Sequence, residues 1–159
     1  MKKWWWIPIC GMLLVGCGSE TFETVDDEVV QGVISSAPDL SIQVEEGAVV
    51  LQTEGGTLYI CDGYDVSLQV FPSGNLDHTV KELCGIPSTQ LNLVQARLDE
   101  RNYYTWVWCS MGENGEMVGR TAVFDDGKWH YCISFLTGAA DAQALIPAWN
   151  AILDSVNFT

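Results

Sequence analysis

Basic side chains are scarce, with 7 Lys and Arg against 21 Asp and Glu and a formal net charge of −14. Beyond residue 20 they are scattered as Lys81, Arg97, Arg101, Arg120 and Lys128. A phosphate-binding surface needs clustered cations, so no nucleic acid is expected as a partner. Histidine is scarcer still, represented only by His78 and His130. No paired-His motif, Gly-rich phosphate loop or nucleophile elbow occurs, which removes the sequence signatures of zinc hydrolases, nucleotide enzymes and serine hydrolases. Long hydrophobic runs are lacking too. The apolar stretch from Trp4 to Val15 would span roughly 18 Å as a helix, against a hydrocarbon core of roughly 30 Å. A stable membrane span is therefore not expected. With 15 Gly and 5 Pro in 159 residues, the chain also lacks the bias of fibrous or low-complexity sequences.

What is present is a hydrophobic fraction of 48% and seven Trp, too much apolar surface for disorder and enough chain for one core. Lys2 and Lys3 precede the apolar stretch, and small residues follow at Gly16-Cys17-Gly18-Ser19, the order of a secretion signal. Within it Leu14-Val15-Gly16-Cys17 resembles the lipobox of bacterial lipoproteins. That resemblance implies a thioether-linked diacylglycerol on Cys17, cleavage before it and loss of residues 1–16. Each buried methylene contributes about 0.8 kcal/mol, so two or more acyl chains hold a protein on a bilayer where one does so only marginally. Without Lys2 and Lys3 the mature chain would carry 5 basic against 21 acidic residues, a net charge of −16. An anionic leaflet repels such a domain. Residues 17–38, with Glu20, Glu23, Asp26, Asp27 and Glu28, are read as the lipidated Cys followed by an acidic tether standing the domain off the surface.

From about Asp39 short apolar segments alternate with turn residues, the pattern of an antiparallel sheet. Strands are expected near 40–44, 48–52, 57–61, 65–71, 90–97, 103–112, 116–124 and 129–136. Helices are expected near 76–84 and 145–156, the second starting at Ile146 or Pro147 because proline is favoured in a first helical turn. Asn114-Gly115 and Asp126-Gly127 suit two-residue hairpin turns, which set Cys109 opposite Arg120 and Cys132 opposite Thr121. One face of the resulting meander then carries Val107, Cys109, Met111, Val118, Ala122, Phe124, Trp129, Tyr131, Ile133 and Phe135. The other carries Tyr104, Trp106, Trp108, Ser110, Gly119, Thr121, His130, Cys132 and Ser134. The first reads as core, covered by the C-terminal helix through Leu145, Ile146, Trp149, Ile152, Leu153 and Val156.

The segments Tyr104-Thr105-Trp106, Gly119 to Tyr131 and Pro147 to Val156 are together similar to the PsbP-like family, which includes small bacterial lipoproteins. The resemblance spans residues 39–158 and implies an α+β fold, an antiparallel sheet flanked by helices in a single domain over 39–159. It brings no shared catalytic constellation, so no functional residues carry across.

Of six Cys, four remain once Cys10 leaves with the signal and Cys17 takes lipid. Cys109 and Cys132 lie on opposite faces and are not expected to bridge. Cys61 and Cys84 are the candidate disulfide, closing a loop of about 24 residues for roughly 3 kcal/mol; four free thiols are the alternative. Successive spacings are too wide for a zinc site. His78, among Asn75, Asp77 and Thr79, reads as part of a helix start. His130 near Cys132 offers a base beside a thiol, without a third group to orient the ring. The acidic turns Asp62-Gly63-Tyr64-Asp65 and Asp125-Asp126-Gly127 lack calcium-loop spacing and read as turns. No cofactor is expected. Tyr104, Trp106, Trp108 and His130 form the candidate binding face, either ordinary core under helices or an open groove for a peptide, glycan or protein. The expected role is a lipid-anchored, non-enzymatic protein on the extracytoplasmic face of a bacterial membrane, binding a protein or envelope component. The alternative is a small-ligand or cation-binding accessory lipoprotein, with a hydrolase a distant third.

Overall fold

From Tyr64 to Gln69 the chain alternates buried Tyr64, Val66 and Leu68 with half-buried Asp65, Ser67 and Gln69, the period-two pattern of a strand between unlike faces. Strands of this kind dominate the computed structural model, which describes residues 40–98 and 101–158. The signal segment, the lipobox Leu14-Val15-Gly16-Cys17 and the acidic tether lie outside the described residues. In order the elements are β1 (Leu40–Ser41), β2 (Val49–Thr53), β3 (Gly56–Ile60), β4 (Tyr64–Pro72), α1 (Leu76–Cys84), a 3-10 turn (Ser88–Gln90), β5 (Val94–Leu98), β6 (Arg101–Gly112), β7 (Gly115–Asp125), β8 (Trp129–Gly138), α2 (Ile146–Asp154) and β9 (Asn157–Phe158). Seven strands form one antiparallel sheet in the order β2-β3-β4-β8-β7-β6-β5, and β1 pairs with β9 in a separate ribbon.

Each helix begins and ends where its sequence dictates. Asn75 caps α1 by accepting the Asp77 amide at 3.0 Å, and Gly85, at φ +72°, ends it with its N–H on the Lys81 carbonyl at 2.7 Å, a left-handed stop that glycine adopts without a Cβ penalty. Pro147 sits in the first turn of α2. The two helices cover opposite faces of the sheet. On the first face Trp149 and Ile152 of α2 pack with Tyr64, Val66, Leu68, Phe124, Tyr131, Ile133 and Phe135. Phe158 of β9 joins them edge-on to Phe124 and Tyr131, with centroids at 5.5 and 5.2 Å. On the second face Val80 of α1 packs on Trp106, Val123 and Cys132. Fully burying an aliphatic side chain of this size contributes about 1.5–3 kcal/mol, so both layers stabilise the domain.

The expected fold class and both helices match this architecture, while the registers differ. Gly112 pairs with Gly115, so the first turn is Glu113-Asn114 and Cys109 faces Val118 rather than Arg120. Asp125 pairs with His130, so the second loop has four residues and Cys132 faces Val123 rather than Thr121. That longer loop is held by side chains: Asp126 Oδ1 accepts the Lys128 and Trp129 amides at 2.8 and 2.7 Å, and Asp125 Oδ1 accepts the Gly127 amide at 2.8 Å. Such Asx bonds make an open loop as satisfactory as a tight turn. Both slips are by two residues, and a shift of two leaves every side chain on its face. Two further differences lie at the edges. The expected strand at 90–97 begins at Val94, because Asp77 Oδ1 accepts both the amide and the hydroxyl of Ser88 and holds the preceding turn against α1. Only Leu40 and Ser41 of the expected strand 40–44 pair, with the unanticipated β9.

Candidate binding site

The candidate face is mostly interior. Trp106 and His130 are each only 2% exposed, beneath α1, while Tyr104 and Trp108 are half-buried. The Trp106 and His130 side chains are therefore not an open face in this fold. His130 does not meet a thiol either. Its Nδ1 lies 2.8 Å from the Thr79 hydroxyl on α1, and its Nε2 lies 3.6 Å from Asp125 Oδ2. Asp125 is fixed in turn by the Ser73 hydroxyl, which donates to Oδ1 at 2.8 Å. The chain from Asp125 through His130 to Thr79 pins α1 to the sheet, and Thr79, 3% exposed, offers no path for a substrate. The Cys132 thiol points back to the His130 carbonyl at 3.6 Å, and burial pushes its pKa far above that of an ordinary thiol. It stays protonated and unreactive at neutral pH.

Trp108 has a different local logic. Its indole lies against the cross-strand partner Gly119, and its Nε1 donates to Thr121 Oγ1 at 3.0 Å. Thr121 continues to Ser134 at 3.2 Å. The expected Cys61–Cys84 disulfide is corrected by the structure: both are free thiols. Cys61 packs with the first-face core and Cys84 with the second, so the sheet stands between them, and a bridge needs Cα atoms within about 7 Å. Cys109, on the first face, is an exposed thiol. His78 is exposed on α1 with Nε2 3.9 Å from Glu82. Asp126 of the acidic turn is engaged by backbone. Its burial raises the carboxyl pKa, but the Lys128 and Trp129 amides, the Tyr131 hydroxyl and the Arg101 charge outweigh that and hold it below the usual range. Among the described residues no group of three or more His, Cys, Asp or Glu could hold a metal ion.

A concave site lies instead on the first face, where β5, β6 and β7 run out from under α2. The hollow has a volume of about 350 Å³ and carries four polar side chains, those of Asn92, Thr105, Arg120 and Asn150. Val94, Val107, Ile146 and Trp149 supply its apolar surface, and Trp106 of β6 also lines it. Val94 and Val107 are each 49% exposed, leaving the mouth apolar and open. Arg120 projects from the middle of β7 in the row between Val107 and Phe135. Its Nε is buried without a hydrogen-bond partner, and Arg120 makes no ion pair among the described residues. A buried, unpaired donor costs about 1–3 kcal/mol. No Asp or Glu lines the hollow, although the chain holds 21 of them. The sequence did carry a signal for this site. On the inward side of β7, Val118, Ala122 and Phe124 flank Arg120, and a cation at an inward position of a core strand needs an explanation that alternation alone does not supply.

A seven-stranded antiparallel sheet with one helix on each face superposes on the cyanobacterial PsbP of Synechocystis, CyanoP, with a TM-score of 0.53 at 13% identity, covering 92% of this chain and 99% of that one. The fold is PsbP-like. LpqN of Mycobacterium tuberculosis, a protein involved in cell envelope biogenesis, is similar to this chain with a TM-score of 0.54 at 11% identity, covering 77% of this chain and 84% of that one. A protein of Bacteroides thetaiotaomicron matches with a TM-score of 0.52 at 11% identity over 76% of this chain, which spans only 45% of its length. No protein-family model matches the sequence, and no curated protein does. The PsbP-like likeness therefore lies in the fold, and the hollow around Arg120 is described from this chain alone. Among the described residues no helix is long and apolar enough to cross a membrane.

Proposed function

We propose that this chain is a lipid-anchored, non-enzymatic binding protein of the bacterial cell envelope, held on the extracytoplasmic face of the membrane through an acylated Cys17. Support for the location comes from the lipobox-like Leu14-Val15-Gly16-Cys17 and from a fold shared with an envelope-biogenesis protein. One observation carries the binding role over turnover. His130 and Cys132, which could have formed a base beside a thiol, are consumed in packing and hydrogen bonding, whereas Arg120, with no ion pair among the described residues, lines an open hollow. That arrangement suits capture better than bond cleavage.

Cell fractionation tests the anchor. Wild-type protein should enter the membrane fraction with acyl chains on its N-terminal peptide, and Cys17→Ala should move the protein to the soluble extracytoplasmic fraction. Membrane retention of Cys17→Ala, or a native product that keeps its first sixteen residues, would refute the lipid anchor.

A further inference from the structure

The geometry points to a small organic carboxylate with an apolar body as the ligand of the hollow between α2 and strands β5 to β7, bound through the Arg120 guanidinium. This deepens the binding role proposed above and does not depend on the anchor. Arg120 supplies the charge: a guanidinium presents a planar fork of N–H donors that matches a carboxylate in two parallel bonds, and here Arg120 lines the hollow with no ion pair among the described residues. The walls supply the selection. Val94, Val107 and Trp149 offer apolar contact on three elements, and Thr105, Asn92 and Asn150 offer hydrogen bonds to substituents. A strongly hydrated inorganic anion would leave that apolar surface unsatisfied, and a neutral apolar molecule would strip water from the guanidinium without pairing its charge. A volume near 350 Å³ stands at the small end of ligand pockets, suited to a single ring or short branched chain. The charge balance sharpens the case. In a chain with 21 carboxylates of its own, a partly buried arginine lined by none of them is open to a carboxylate from outside.

The test uses detergent-solubilised full-length protein and three probes: phenylacetate, its neutral isostere phenylacetamide, and sulfate. Isothermal titration should give saturable binding of phenylacetate with a millimolar or lower Kd, with phenylacetamide and sulfate each at least tenfold weaker. Arg120→Gln should weaken phenylacetate at least tenfold, because the charge-assisted pair is lost. Should that variant fail to fold, Asn150→Asp, a change on an exposed position at the mouth, sets a like charge beside the ligand and should weaken phenylacetate several-fold while leaving the melting temperature alone. Equal affinity for the acid and its amide would keep a binding site but overturn the carboxylate assignment. Sulfate binding without phenylacetate, unchanged affinity in Asn150→Asp, or no binding of any probe would overturn it as well.

Discussion

Replacing Gly119 by Ala tests the packing of the second sheet face at one atom. Gly119 is buried in β7 opposite Trp108, and an added Cβ would fall 2.1 Å from Cε2, 2.4 Å from Cζ2 and 2.6 Å from Nε1 of that indole. Carbon pairs rest at about 3.5–4.0 Å, so the ring would have to retreat by more than 1 Å. Overpacking of this kind costs about 1–3 kcal/mol. Retreat also strains or breaks the 3.0 Å bond from Nε1 to Thr121, worth about 1 kcal/mol. Against this, Ala restricts the unfolded chain and returns about 0.4–1 kcal/mol. The balance is a loss of about 2–3 kcal/mol, a fall of roughly 6–15 °C in melting temperature for a domain of this size. Thermal unfolding followed by circular dichroism measures it, and a double-mutant cycle assigns it. In a Trp108→Ala background the same Gly119→Ala change should cost less than about 0.5 kcal/mol, because the obstacle is gone. An equal loss in both backgrounds would show that the indole is not the cause, and a melting temperature unchanged by Gly119→Ala alone would refute the packing.

Four further outcomes follow from the geometry. Thr79→Val removes the hydroxyl that meets the buried His130 Nδ1 and should lower stability by about 1–3 kcal/mol, read as a lower denaturant midpoint at unchanged slope. Trp149→Ala, at a site 6% exposed with its ring 6.0 Å from Phe135, should cost about 3–5 kcal/mol; an unchanged melt would place that ring outside the core. The Asp126 carboxyl is held below its usual range, so its contribution is full above the unfolded pKa of about 3.9 and is lost as pH falls through the lower folded value. The melting-temperature gap between wild type and Asp126→Asn should therefore stand at pH 6 and close towards pH 3; a gap independent of pH would show that the charge is not involved. Alkylation in denaturant without reductant should label both Cys61 and Cys84, whereas in the folded protein exposed Cys109 should react well before buried Cys132.

How much of this was legible in the sequence depends on the period of the signal. The faces were readable because strand side chains alternate with period two, and an error of two residues in either hairpin does not move Trp106 or Phe124 to the other side. Registers were not readable, because Asn114-Gly115 and Asp126-Gly127 each permit more than one loop. In the second hairpin the selection came from Asp125 and Asp126 bonding their own loop amides. Cys61 and Cys84 sat close enough along the chain to suggest a bridge, but sequence distance carries no information about which side of a sheet each segment returns to. The pairing of His130 with Thr79, 51 residues apart, likewise exists only once α1 docks. Trp106 and His130 looked available for binding for the same reason, since the helix that covers them is separated from β6 by the whole 3-10 turn and β5.

The hollow itself follows from a mismatch of lengths. Each helix has nine residues and is about 14 Å long and 10 Å wide, while seven strands spaced about 4.8 Å apart make a sheet roughly 29 Å across. One such helix cannot roof such a sheet. The ribbon of β1 and β9 extends the cover on the first face, through Leu40 and Phe158, yet β5 and β6 remain beyond it, with Val94 and Val107 half in solvent. On the second face the same shortage falls at β2 and β3, where Val49, Leu51 and Ile60 stay exposed. The two uncovered areas differ in one respect. At β2 and β3 the second-face surface is apolar, whereas the margin beside β5 and β6 contains a guanidinium with a buried, unpaired Nε. An uncovered valine loses little by meeting water, whereas a guanidinium in a hollow lined by no Asp or Glu keeps its charge open to an acidic ligand, which is the basis of the carboxylate proposal.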